Sequence, residues 1–246
     1  MTQPEQKTIT LVSGANQGIG LATATALARD HGHHVIIGSR SLDAGKRVAE
    51  SLKAQGHSAS SVQLDLMSEE SIAAAIKHVE TTFGRLDVLV NNAAILFDMT
   101  DKYEGVFDLF AQTFATNVVG TAALTEGLFP LLRKSSLPRV VCVSSRMGSF
   151  ALAKDPTTPY YHLNVQAYDA SKAALQMLAI NWARILEPHG AKVNVVCPGL
   201  VSTNLHPAVK AGHAPEVGAK RIVEMATVGP DGPTATFSDR DGVVPW

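Results

Sequence analysis

Six short runs rich in β-branched residues, at 8–13, 35–38, 61–64, 86–90, 140–144 and 192–197, are separated by longer stretches with helical spacing. This alternation constrains the chain more than any other feature. Each run is continuously apolar rather than alternating, the pattern of a strand covered on both faces. Strand–helix alternation on this scale implies right-handed βαβ crossovers and a parallel sheet carrying helices on both sides. The expected fold class is therefore α/β, a single Rossmann-like doubly wound domain over residues 1–246. Ser41 and Ser68 read as helix N-caps, the second followed by Glu69 and Glu70, where the helix dipole favours acids. The first helix spans about 18–30, with Gly32 closing it. Two segments escape the rhythm: a loop at 146–166, longer than usual connections, and a Gly/Pro-rich region from 200 onward with one good helix at about 214–225. Pro130 is expected to kink or end a helix that begins near Gln112.

Directly after the first run comes Ser13-Gly14-Ala15-Asn16-Gln17-Gly18-Ile19-Gly20, opening a helix. Gly14 allows a sharp turn, Gly18 lets a pyrophosphate approach the backbone, and Gly20 lets helix and strand pack closely. The helix N-terminus then faces the phosphates. Asn16, Gln17 and Ile19 complete this dinucleotide-binding loop. At the end of the second run the chain reads Gly38-Ser39-Arg40. An acid at that place would bind a ribose 2′-hydroxyl and repel a 2′-phosphate. Ser39 instead offers a hydroxyl and Arg40 a planar, permanently charged set of donors. The expected cofactor is NADPH.

Tyr168-Asp169-Ala170-Ser171-Lys172 opens a helical stretch running to about 187, so Tyr168 and Lys172 share one helical face. A free tyrosine titrates near ~10, and a neighbouring ammonium favours its phenolate. Alone, Tyr-x-x-x-Lys is a weak signal. Together with the glycine loop, it resembles the short-chain dehydrogenase/reductase family, whose fingerprint is T-G-x-x-x-G-x-G, here with Ser13 for Thr. Asn91-Asn92-Ala93-Ala94 resembles that family's N-N-A-G, with Ala94 for Gly, which implies cofactor contacts at Asn92 and Ala93. Asp65, with Leu66 beside it, matches the place that in the family meets the adenine ring. The resemblance implies a catalytic tetrad of Asn117, Ser145, Tyr168 and Lys172, with Ser145 preferred over Ser144 by register. Pro198, Gly199, Val201 and Thr203 match the family's segment after the sixth strand, where the backbone near Leu200 and the Thr203 hydroxyl would meet the carboxamide and phosphates. Ser145 and Tyr168 lie 23 residues apart, wider than the family's usual gap, so the loop between them carries an insertion. That insertion and the C-terminal Gly-Pro segment with a terminal Trp are similar to carbonyl reductases.

The implied reaction is NADPH-dependent reduction of a carbonyl in a hydrophobic small molecule. Alcohol oxidation, imine reduction or cyclisation, and a non-catalytic cofactor-binding scaffold stand as alternatives. The loop at 146–166 and the region 200–228, with Met147, Phe150, Leu152, Tyr161, Leu163 and Leu200, are expected on the substrate side. A net charge of −1, from 21 basic and 22 acidic residues, argues against nucleic acid or a polybasic membrane surface as partner. No apolar window spans a bilayer, and the polar first residues show no secretory signal. Two cysteines, Cys142 and Cys197, make no disulfide framework, so a cytoplasmic location is expected and both read as core thiols. His31, His33 and His34 are expected on the solvated surface and no metal is expected. His162 fits either the pocket or the surface, Trp246 either a packing anchor or a pocket wall. The oligomeric state, monomer or homo-oligomer, stays open.

Overall fold

The computed structural model describes residues 7–205 and 212–246. Part of the expected substrate-side region, 206–211, and the first six residues lie outside them. Eight strands form one sheet in the order β3-β2-β1-β4-β5-β6-β7-β8. Six of them lie close to the apolar runs: β1 (Ile9–Ser13), β2 (His34–Ser39), β3 (Ala59–Gln63), β4 (Val88–Asn91), β5 (Arg139–Val143) and β6 (Lys192–Val196). All six pair in parallel. β7 (Phe237–Asp239) adds in parallel to β6, and β8 (Gly242–Val243) folds back antiparallel on β7. The sequence pattern did not reveal these last two, because strands of three and two residues are too short to show a period.

The continuous apolar runs are explained by two cores, one on each face. Leu11, Ile36, Leu89, Val140, Cys142 and Val195 point to one side, packing under α3 (Glu69–Phe83) and α8 (Gln166–Leu186). Their chain neighbours Val12, Ile37, Val90, Val141 and Val196 point to the other, under α1 (Gly18–His31), α2 (Leu42–Ala54) and α9 (Pro215–Ala226). Each fully buried side chain of this size contributes about 1.5–3 kcal/mol of transfer free energy, so neither face tolerates a polar alternation. Ser41 and Ser68 do cap α2 and α3, accepting from the Ala44 and Ser71 amides, and Gly32 ends α1 in the left-handed conformation.

The middle of the chain departs from expectation. The helix expected from near Gln112 begins earlier, as α4 (Gly105–Phe114), and passes through a π-helical turn at Ala115–Gly120 into α5 (Thr121–Gly127). It breaks at Leu128, and Pro130 sits in the first turn of the short α6 (Phe129–Leu132), where a missing amide costs nothing. The long loop contains a 3-10 turn (Arg146–Gly148) and the single-turn α7 (Phe150–Ala153). His33 also differs from expectation: it is buried, and its Nδ1 lies 2.8 Å from the Thr10 hydroxyl. The register places Ser13 opposite Gly38 and Val12 opposite Val90. The carboxyl ends of β1, β2 and β4 therefore meet at one edge, where the strand order reverses about β1 and open α/β sheets form their crevice.

Candidate active site

A cleft of about 670 Å³ opens at that edge. Gly14 and Gly18 adopt positive φ, +65° and +56°, which the turn requires. A Cβ on Gly20 would collide with the Gly14 carbonyl and the Asn92 side chain, so the α1 start can approach β1 only with glycine there. Gln17, the N-cap of α1, gives no side-chain cap, and the first turn carries no acid. The amides of that turn and the dipole are thus available to an anion. The Ser13 hydroxyl accepts from the Asn92 and Ala93 amides, both at 3.0 Å, while the Asn92 side chain donates to the Ser13 carbonyl at 2.9 Å. A hydroxyl is what this position needs, and Ser supplies it as Thr would.

Most residues expected to bind the cofactor line this cleft: Gly14, Asn16, Gln17, Gly18, Ile19 and Gly20 on the glycine loop, Ser39 and Arg40 after β2, Asp65 and Leu66 after β3, and Asn92 and Ala93 after β4. Pro198 and Thr203 close it from the far side. Arg40 is exposed and makes no ion pair among the described residues, leaving its guanidinium free for a phosphate. Asp65 also accepts from the Met67 amide at 3.0 Å, so it shapes the turn as well as the cleft. Gly199 and Val201 are not in the wall. Gly199 is exposed, whereas Val201 is buried and bridges to His213. The donor set and the glycine cradle fit a dinucleotide carrying an extra phosphate.

Tyr168 and Lys172 lie on the cleft wall, both buried, with the Lys172 Nζ 5.4 Å from the centre of the tyrosine ring. The ammonium donates to the Val143 carbonyl at 2.9 Å. Burial lowers its pKa to about 8. The tyrosine moves opposite to the sequence expectation. Burial raises its pKa, because a desolvated phenolate is disfavoured, and Cys197 and Asp169 add to the rise.

Ser144 and Ser145 follow β5. The Ser144 hydroxyl donates to the Lys172 carbonyl and accepts from the Gln176 amide, so it is committed to holding α8, although Ser144 borders the cleft. The Ser145 hydroxyl accepts only from the Met147 amide at 3.2 Å and keeps its proton to give. Asn117 is buried behind the wall, in the π-helical turn. Its Oδ1 accepts from the Ile95 amide, and its Nδ2 donates to the Ile95 carbonyl and the Ser171 hydroxyl.

Several cleft residues escaped the sequence reading. Ile95, Leu96, Phe97 and Lys102 come from the loop between β4 and α4, and Thr116 from the π-helical turn. The unassigned stretch after Asn92 was the available signal, since long loops at strand carboxyl ends carry function. The apolar side chains Phe150, Tyr161, Leu163 and Leu200 are exposed and do not line the cleft, and His162 is exposed. Trp246 packs against Phe237, ring centres 5.5 Å apart, as a packing anchor. Among the described residues, no His/Cys/Asp/Glu group could hold a metal and no helix is long and apolar enough to cross a membrane.

The model of the short chain dehydrogenase family matches residues 8–214. The chain is 38% identical to the short-chain dehydrogenase/reductase ATR10 of Stachybotrys chlorohalonatus, covering 96% of this chain and 90% of that one. It is 32% identical to carbonyl reductase (NADPH) 1 of Mus musculus, covering 97% and 98%. Among solved structures, the RhlG/NADP active-site complex of Pseudomonas aeruginosa superposes with a TM-score of 0.81 at 26% identity, covering 96% and 95%. With its sheet, its glycine loop and its buried Tyr168–Lys172 pair, the chain belongs to the short-chain dehydrogenase/reductase family of oxidoreductases.

Proposed function

We propose that this protein is an NADPH-dependent reductase acting on a carbonyl group of a hydrophobic small molecule, working as one domain over residues 1–246. The observation that carries the reading is the buried Tyr168–Lys172 pair on the wall of a cleft that begins at a glycine loop. The similarity to the mouse NADPH carbonyl reductase and to the Pseudomonas aeruginosa NADP complex supports the cofactor, and so does Arg40 at the end of β2 where an acid would favour NADH. The free thiols Cys142 and Cys197, both buried, suit a reducing cytoplasm.

In this reading the glycine loop, Ser39, Arg40, Asp65 and Asn92 would hold NADPH, which would supply a hydride when bound. The Ser145 hydroxyl and the Tyr168 phenol donate to the carbonyl oxygen and orient the carbon for attack. The carbonyl oxygen, which gains the π electron pair when the carbon is reduced, would take the Tyr168 proton. The Lys172 ammonium favours the phenolate left behind. Asn117 anchors the turn from which a proton path to Lys172 would run. The product alcohol keeps the Tyr168 proton, and a second proton drawn from solvent by way of Lys172 would restore the phenol.

The test is Tyr168→Phe. Loss of a general acid removes about 10²–10⁴ in rate, so ketone-dependent oxidation of NADPH should fall by that much while NADPH affinity stays near wild type. A variant that retains full turnover refutes the assignment.

A further inference from the structure

Helix α8 starts without a cap of its own. Its N-cap residue is Val165, whose hydrocarbon side chain accepts no hydrogen bond. The first amides of a helix have no intrahelical partner, and leaving them buried and unpaired is costly. Here the acceptors come from elsewhere in the chain. The carboxylate of Asp98, 3% exposed, takes the Ala167 amide on one oxygen at 3.0 Å and the Tyr168 amide on the other at 3.3 Å. These are the second and third residues of the helix, the amides that a local Ser or Asp cap satisfies.

Asp98 belongs to the loop after β4, and the three residues before it, Ile95, Leu96 and Phe97, form part of the cleft wall. The same loop is tied to α8 a second time, through Asn117, which bonds both Ile95 and Ser171. The arrangement is kept at an electrostatic cost. Asp169 follows Tyr168 directly, one of its carboxylate oxygens is buried without a partner, and burial together with the Asp98 charge pushes its pKa up to about 7. A cap wanted only for helix stability would be cheaper as a serine at position 165.

We propose that Asp98 is a positioning residue for the reduction, capping α8 from the cleft wall and so setting where the Tyr168 phenol stands relative to that wall. This rests on the reductase reading, in which Tyr168 is the proton donor. The geometry makes the first turn of α8 and residues 95–97 one unit, so the tyrosine and the surface facing the substrate move together. Misplacing a reacting group by an ångström costs up to about a hundredfold in rate while binding through other contacts survives.

The experiment compares wild type, Asp98→Asn and Asp98→Leu. Asn keeps one acceptor and Leu keeps none, at similar volume. With a ketone substrate, kcat should fall about threefold in the Asn variant and at least about tenfold in the Leu variant, and the NADPH dissociation constant should change less than about twofold. In hydrogen exchange, the Ala167 and Tyr168 amides should lose protection in the same order. If the Leu variant fails to fold, the Asn variant decides by the same two readouts. Unchanged kcat in folded variants overturns the proposal. So does lost turnover with unchanged protection of those two amides, or a parallel loss of NADPH binding. If wild type reduces no carbonyl, the reductase reading falls instead, and the exchange measurement still decides whether Asp98 caps the tyrosine.

Discussion

Neighbouring or similar side chains acquire different roles from their partners. The Ser144 hydroxyl is spent on both sides, on Lys172 and on Gln176, while that of Ser145 keeps a free proton. Arg40 and His33 show the same dependence. Arg40 faces the cleft with an uncompensated charge, so Arg40→Ala should weaken NADPH binding about tenfold, the worth of one charge-assisted hydrogen bond. NADH affinity should hardly change, and paired titrations check this. His33 sits between the sheet and α1, and its pKa falls to about 4, first through burial and then through the Arg139 cation. Its folded pKa is thus below the ordinary value near ~6.5. The neutral ring's stabilisation is fully present above that value and is lost as pH falls toward 4. His33→Asn should flatten the decline of the unfolding midpoint between about pH 6.5 and 4 relative to wild type, measured by denaturant titration at several pH values. The histidine runs 31–34 read as solvated turn because nothing local reveals that position 33 faces Thr10, 23 residues earlier in the chain.

At the scale of elements, the site is an assembly of one helix and the loops packed on it. Helix α8 brings Tyr168 and Lys172 to one face by spacing alone, which is why that pair was legible in the sequence. The 3-10 turn that follows Ser145 packs against α8 at Lys172 only because Gly148 has no side chain. A Cβ there would stand 2.7 Å from the Ala173 nitrogen and 2.8 Å from the Lys172 carbonyl carbon, both backbone atoms that cannot rotate away. Gly148→Ala should therefore push the 3-10 turn off α8, costing about 1–3 kcal/mol of stability from overpacking. Turnover should fall while NADPH affinity holds, because the glycine loop is untouched; stopped-flow turnover and a fluorescence titration separate the two. The π-helical turn and the early start of α4 were not legible. Helical periodicity reports the length of an amphipathic stretch, but a widened turn leaves that period nearly intact.

Across the whole molecule, the C-terminal segment closes the sheet edge and the long loop together. β7 lies beside β6, the Arg146 side chain pairs with Asp239 at 2.5 Å, the Ser149 hydroxyl donates to the Pro245 carbonyl, and the Ala151 amide donates to that of Trp246. Phe237 is buried under Trp246 at the centre of these contacts. Phe237→Ala should cost about 3–5 kcal/mol, seen as a lower urea midpoint, and should expose the Ala151 amide to faster exchange. The sequence by itself determined the six parallel strands, the place of the glycine loop, and the Tyr168–Lys172 face. Those features are written in short-range spacing: continuous apolar runs, glycines at a βα junction, side chains four apart on a helix. Only the tertiary structure decided which serine hydroxyl is free, that His33 is buried, that a strand forms at Phe237–Asp239, and that Asp98 holds the start of the tyrosine helix 69 residues away. Each of those depends on two distant segments meeting, and chain-local physical chemistry carries no record of such a meeting until the sheet has brought them together.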